Sequence, residues 1–170
     1  LSNSGSGDNR VLIGIDEVGR GSMIASIVAS AVTFPVFPLT LEQTEELASL
    51  NDSKQLTSKQ RNKLAQSILK HCQVATCHAT QEEVDRFNVH HASLLALSRA
   101  VNSLCVKLNL SEERLVILID GRSRLPGFHR AQQIPVIKGD TQSAAIAAAS
   151  VVAKETRDGF IRTLSHQYPG

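Results

Sequence analysis

Four carboxylates carry the chemistry this sequence can do. Asp16 and Glu17 follow directly on an apolar run that ends in Ile15, Asp120 follows directly on Ile119, and Asp140 follows Ile137 after Lys138-Gly139. Adjacent carboxylates repel, and burying either one uncompensated is costly. A chain that sets such a pair at the edge of its core calls for a cation. In open sheets, function collects at strand ends and at topological switch points. Oxygen donors converging there suit Mg²⁺ or Mn²⁺, hard ions that keep several waters and leave room for a phosphate. Two such ions about 3.5–4 Å apart can activate water and stabilise the leaving oxygen of a phosphodiester.

The surroundings of these acids are basic. Gly19 and Gly21 bracket Arg20; without a β-carbon they can take positive φ and approach a ligand, while the arginine offers a fork of donors to a phosphate. Lys54, Lys59, Arg61, Lys63 and Lys70 face a single acid, Asp52, between residues 52 and 70. Arg122, Arg124, His129 and Arg130 share an acid-free loop after Asp120, and Lys138 precedes Asp140. Cations beside carboxylates are what a nucleic-acid backbone needs on its way to a metal pair.

Each feature has a plainer reading. Asp120-Gly121 alone is a common turn pair. Asp140 can cap the helix that follows. Asp52 reads as a turn or cap residue, Asp158 as structural, and the basic run as a solvated helix face. The six histidines show no metal-ligand spacing, and His90-His91 reads as solvated at a helix start.

The elements that must position the acids follow from local pattern. Residues 10–15 and 26–34 read as two strands forming a hairpin, the second closed by Pro35 and Pro38. Residues 40–50 suit a helix and 51–54 a polar loop. Thr57 with Gln60 is a capping-box pattern that opens a helix to about residue 71. Residues 72–79 read as a strand. Thr80 with Glu83 opens a short helix to about Phe87. Leu94, Leu97, Val101, Leu104 and Leu108 form the buried stripe of a helix over residues 90–108. The continuous apolar run 115–119 predicts a central strand covered on both faces. Residues 134–137 form one more strand, and 143–165 a long helix whose small residues allow close packing on a sheet. Strands followed by alternating helices and strands indicate an α/β or mixed sheet with helices on its faces.

Composition sets limits. The chain has 170 residues, 42% apolar and 20% charged, with net charge +2, so any basic surface is local. Three cysteines without a C-x-x-C pair argue against a disulfide framework or zinc site and fit a reducing compartment. No signal peptide and no apolar run of membrane-spanning length are present, so a cytoplasmic protein without a membrane partner is expected. Residues 1–9 are rich in Ser, Gly and Asn and read as disordered.

Taken in order, the motifs resemble type 2 ribonuclease H (ribonuclease HII). They are Gly14-Ile15-Asp16-Glu17-Val18-Gly19-Arg20-Gly21, Leu50-Asn51-Asp52-Ser53-Lys54, Asp85-Arg86-Phe87-Asn88, Ile119-Asp120-Gly121 and Ile137-Lys138-Gly139-Asp140. Ile146-Ala147-Ala148-Ala149-Ser150-Val151-Val152-Ala153-Lys154, Arg157-Asp158 and Tyr168-Pro169-Gly170 complete the set. The resemblance implies an α/β fold, a ribonuclease H-like mixed β-sheet flanked by helices on both faces. It implies one catalytic domain over residues 11–170 behind a leader over 1–10.

It also implies an endonuclease that cuts RNA in RNA–DNA hybrids and nicks duplex DNA 5′ to embedded ribonucleotides, leaving 3′-hydroxyl and 5′-phosphate ends. Asp16, Glu17, Asp120 and Asp140 would be the catalytic, metal-binding acids for Mg²⁺ or Mn²⁺. Gly19, Arg20 and Gly21 would contact the ribose 2′-hydroxyl and its phosphate, with Ser53 and Lys54 near the nucleic-acid backbone; Lys138 joins the nucleic-acid-binding candidates not through the resemblance but as a cation beside Asp140. A monomer is expected. The sequence departs from the family pattern at Ser22, where proline is usual, and at Met23-Ile24-Ala25-Ser26. The family's His-Lys-Gly-Tyr segment, whose tyrosine stacks at the DNA–RNA junction, does not follow Tyr168-Pro169-Gly170. The competing expectations are a catalytically weak or inactive nucleic-acid-binding relative, and a small-molecule enzyme with Gly19 to Gly21 as a phosphate loop. The last requires a helix directly after Gly21.

Overall fold

β1 (Val11–Val18) is the strand on which the sheet is built. In this computed structural model, residues 10–21, 26–35 and 39–167 are described, apart from the side chains of residues 51, 52 and 167. The expectations for the leader, for Ser22 to Ala25, for Pro38, for the Asp52 side chain and for Tyr168-Pro169-Gly170 fall outside them.

β1 pairs antiparallel with β2 (Ile27–Thr33), and β2 antiparallel with β3 (Gln73–Ala79). On its other side β1 pairs parallel with β4 (Leu115–Asp120), and β4 parallel with β5 (Gln132–Val136). The five-stranded order is β3-β2-β1-β4-β5. This is the mixed sheet that the alternation of elements predicts, and the hairpin of the first two strands is present. Among the described residues the element that follows the Gly19 to Gly21 turn is strand β2, from Ile27, and not a helix, which speaks against the phosphate-loop reading.

Helices cover both faces. α3 (Gln81–Leu108) packs Ala92, Ala96, Leu97, Ala100, Val101 and Leu104 onto one face, against Ile13, Ile15, Ile117 and Ile119. α4 (Ala144–Gln167) lies on the other face, with α2 (Ser58–His71) and α1 (Leu41–Leu47) beside it. Close approach is built into the sequence at Gly14: a β-carbon there would lie 2.1 Å from the Ala145 carbonyl carbon. The small residues opening α4 let helix and strand backbones meet at that point. No helix among the described residues is long and apolar enough to cross a membrane.

Local signals hold. Thr57 and Thr80 both form complete capping boxes, with Gln60 and Glu83. The break between the short and long helical stretches falls at Asn88, whose φ of 67° interrupts α3. Its side-chain oxygen accepts from the His90 and His91 N–H groups and so caps the second stretch.

Three details differ from expectation. β1 does not stop at Ile15; pairing of Asp16 with Ser30 and Glu17 with Ala29 carries it to Val18, so both acids lie within the strand. Residues 51–54 are not an open loop but part of a 3₁₀ stretch, Ala48–Gln55. The strand buried on both faces is β2; in β4, buried and half-buried residues alternate, because no broad helix covers the second face of β4.

Candidate active site

Strand register brings the first two acids together. Ile15 pairs with Ile119 across the parallel β1–β4 ladder, so Asp16 and Asp120 occupy equivalent next positions on adjacent strands. Neighbouring strands lie about 4.8 Å apart, and side chains at equivalent positions share a face. That face is the one carrying α4, and the Ser150 hydroxyl of α4 donates to Asp16. Asp16 also accepts from the Glu17 N–H at 2.8 Å.

Burial pushes the Asp16 carboxyl up to about 7, Ser150 opposes it, and the charges of Glu17 and Asp120 add to it. Glu17 is raised as well, chiefly by burial, with Arg20 opposing and Asp120 adding. The Arg20 guanidinium lies 2.6 Å from Glu17 Oε1, while Glu17 Oε2 is buried with no hydrogen-bond partner.

Asp140 arrives from a 3₁₀ turn, Gly139–Thr141, between β5 and α4. Its carboxylate is not the cap of α4; it pairs with Lys54 Nζ at 2.6 Å. Asp120 Oδ1 accepts from the Gly139 N–H at 2.7 Å, tying the Asp140 turn to the end of β4. A β-carbon at Gly139 would meet Ile146 Cδ1 at 2.4 Å and Val136 Cβ at 3.2 Å, so a larger residue there requires the Ile146 side chain to move. Lys54 is the link among the acids. Its bond to Asp140 holds the ammonium charged, and the fields of Asp140, Asp120 and Asp16 reinforce it.

Glu17, Asp140, Ser53, Lys54 and Ser150 line one cleft of about 200 Å³, together with Arg61 and Lys154. Among the described residues, no three acidic, histidine or cysteine groups gather tightly enough to hold a metal ion as they stand. The reason is visible in the pairing: Lys54 draws Asp140, Arg20 draws Glu17, and the Gly139 N–H occupies one oxygen of Asp120.

The remaining candidates divide. Gly19, at φ +114°, and the exposed Arg20 and Gly21 form the turn leaving β1. Arg20 is held by Ser93 Oγ of α3 at 3.0 Å. Ser53 and Lys54 lie at the cleft, but Lys138 does not line it; it stands exposed at φ 55°. The basic run of α2 is less free than its composition suggests, since Arg61 pairs with Glu155 and Asp158, and Lys70 with Glu46. Asp158 is structural, bound to Arg61 and Lys154. Sequence reasoning missed Ser93 and Ser150 as positioning residues. Both are single hydroxyls in helices, and nothing local distinguishes them from other serines.

Comparison with known proteins identifies the family and the fold. The family profile described as Ribonuclease HII matches residues 13–169. A ribonuclease HII of Fusobacterium nucleatum is 41% identical over 158 residues, covering 93% of this chain and 69% of that protein. One from Zymomonas mobilis is 41% identical over 160 residues, covering 94% and 69%. The crystal structure of ribonuclease H2 from Pyrococcus horikoshii superposes with a TM-score of 0.67 at 27% identity, covering 93% of this chain and 77% of that one. Two further structures share the fold at lower identity. The Archaeoglobus fulgidus protein solved as a PCNA:RNase HII complex gives a TM-score of 0.71 at 22%, covering 92% and 77%. Bst-RNase HIII in complex with Mn²⁺ gives 0.72 at 21%, covering 94% and 55%. The chain belongs to the ribonuclease HII family, whose members are ribonucleases H, endonucleolytic hydrolases of RNA paired with DNA.

Proposed function

We propose that the protein is a divalent-metal-dependent endonuclease that cuts RNA in RNA–DNA hybrids and nicks duplex DNA on the 5′ side of embedded ribonucleotides. The single observation that carries the reading is the gathering of the Asp16-Glu17 pair, Asp120 and Asp140 from three separate stretches of the chain, with Lys54 in the field of Asp16, Asp120 and Asp140 and with Glu17 on the same cleft.

The donor set fits a hard ion. It consists of carboxylate oxygens alone, with Glu17 Oε2 buried and unpartnered and Asp16 raised by its acidic neighbours. Asp16 and Asp120 would hold one Mg²⁺ or Mn²⁺, and Glu17 with Asp140 a second. Bound there, such ions supply an activated water and neutralise charge at the leaving oxygen. A Mn²⁺ ion in the RNase HIII neighbour supports the choice of metal.

The chain's own groups do the rest. Ser150 fixes the Asp16 carboxyl, and the Gly139 N–H fixes Asp120. The Gly19 to Gly21 turn offers backbone to the ribose 2′-hydroxyl, the group that separates RNA from DNA. Arg20 and Lys54, and Lys138 farther out, supply positive charge for the phosphates. Contacts to backbone and sugar leave cleavage indifferent to base sequence. The protein acts as a monomer in the cytoplasm.

The test is a labelled DNA duplex carrying one ribonucleotide, incubated with Mg²⁺ or Mn²⁺. A nick on its 5′ side is expected. Asp120→Asn should lower cleavage by at least about 100-fold, the scale of losing an electrostatic group at a reacting centre, while sparing duplex binding. An active Asp120→Asn enzyme, or no nick with either ion, overturns the assignment.

A further inference from the structure

A second site lies behind the Gly19 turn. Arg157 of α4 is 9% exposed, and its Nε is buried with no hydrogen-bond partner. The acids nearest in sequence are committed elsewhere: Glu155 to Arg61, and Asp158 to Arg61 and Lys154. Among the described residues no ion pair is formed by Arg157. A guanidinium kept in a protein interior without a counter-charge is costly, and such groups are normally paired. The same side chain lines a cavity of about 310 Å³, with Ser26 and His78 among the walls and Val28, Phe160 and Leu164 as apolar surface. Phe160 and Leu164 are 50% and 42% exposed, so the cavity opens to solvent beside them.

We propose that Arg157 is a phosphate-binding residue for the nucleic-acid strand, in a subsite separate from the carboxylate cleft. Three observations converge. The unpaired planar fork matches a phosphate in shape and charge. Arg157 packs against the turn assigned to the ribose: a β-carbon at Gly19 would lie 3.1 Å from its Nε and 3.1 Å from the Ser26 carbonyl oxygen. It stands two turns of α4 beyond Ser150, which bonds Asp16. Two turns span about 11 Å, or roughly three base steps at about 3.4 Å each. A strand seated with its scissile linkage at the acids therefore has a phosphate within reach of the cavity. Its sugar or base would lie on Phe160 and Leu164. The identity of the anion rests on the nuclease reading; the need for an anion does not.

The experiment uses Arg157→Met and Arg157→Lys in the intact chain. Binding of a fluorescein-labelled RNA–DNA hybrid is measured in EDTA by anisotropy across a salt series. Losing one phosphate contact makes the slope of log affinity against log salt shallower by about 0.9. Arg157→Met should show that change, with affinity about ten-fold lower at low salt, and Arg157→Lys should recover part of the slope. Inorganic phosphate should raise the melting temperature of the wild type and not that of Arg157→Met. Arg157→Met should also melt no lower than the wild type, because it removes an uncompensated charge.

An unchanged slope and an unchanged phosphate response overturn the subsite. So does an Arg157→Met protein that melts far lower or fails to fold, which would make the arginine a strut for the Gly19 turn. Either result with metal-dependent nicking intact overturns the subsite alone. Loss of nicking in the wild type overturns the nuclease reading instead.

Discussion

Asp16 shows what burial does to a reactive carboxyl. Its proton is held to about pH 7, against an ordinary value of 3.8, mainly by loss of solvent and then by Glu17 and Asp120. The folded, metal-free protein therefore keeps a proton that the unfolded chain has released, and linkage makes stability fall as pH rises between those two values. Thermal melts in EDTA should show a melting temperature that declines from about pH 5 to about pH 7, and Asp16→Asn should flatten the decline. A wild-type curve no steeper than that of Asp16→Asn would contradict the assignment. The same proton competes with a metal ion, so cleavage in subsaturating Mg²⁺ should rise through neutrality. The acids and the glycines around them were legible in the sequence because each terminates an apolar run. Ser93 and Ser150 were not, because a helical serine becomes a positioning residue only when a distant strand brings Arg20 or Asp16 to it.

The elements hold these residues by close backbone packing. Gly14 of β1 lies against the first turn of α4, and a β-carbon there would overlap the Ala145 backbone. Overpacking at such a contact costs typically about 1–3 kcal/mol. Gly14→Ala should reach at least the upper end of that range in chemical denaturation, because the obstacle is backbone and not a movable side chain. Cleavage should fall with it, since the shift moves Ser150 relative to Asp16. The capping box of α2 gives a milder case: Thr57→Ala should cost about 1 kcal/mol and leave the cleft chemistry unchanged. Equilibrium unfolding of both variants separates the two. The caps and the 3.6-residue stripe of α3 were readable because they are local. The extension of β1 to Val18 was not, because it depends on pairing with β2.

At the scale of the molecule, four carboxyl groups and the two cations paired among them, Arg20 with Glu17 and Lys54 with Asp140, form a centre that lacks a tight metal cluster among the described residues. An ion that replaces those pairings binds only the folded state. Mn²⁺ at 100 times its dissociation constant should stabilise the protein by about 2.7 kcal/mol. Differential scanning calorimetry should show that rise, and Asp120→Asn should reduce it; no rise with Mn²⁺ or Mg²⁺ would contradict the metal reading. By itself the sequence determined the elements, their caps and the positions at which apolar strands meet acids, because these follow from interactions within one or two turns. Tertiary structure decided the parallel pairing that sets Asp16 beside Asp120, the capture of Asp140 by Lys54, and the burial of Arg157 without a partner. Those outcomes depend on which distant surfaces pack together, and the energy of that choice is spread over the whole core, not written at any one residue.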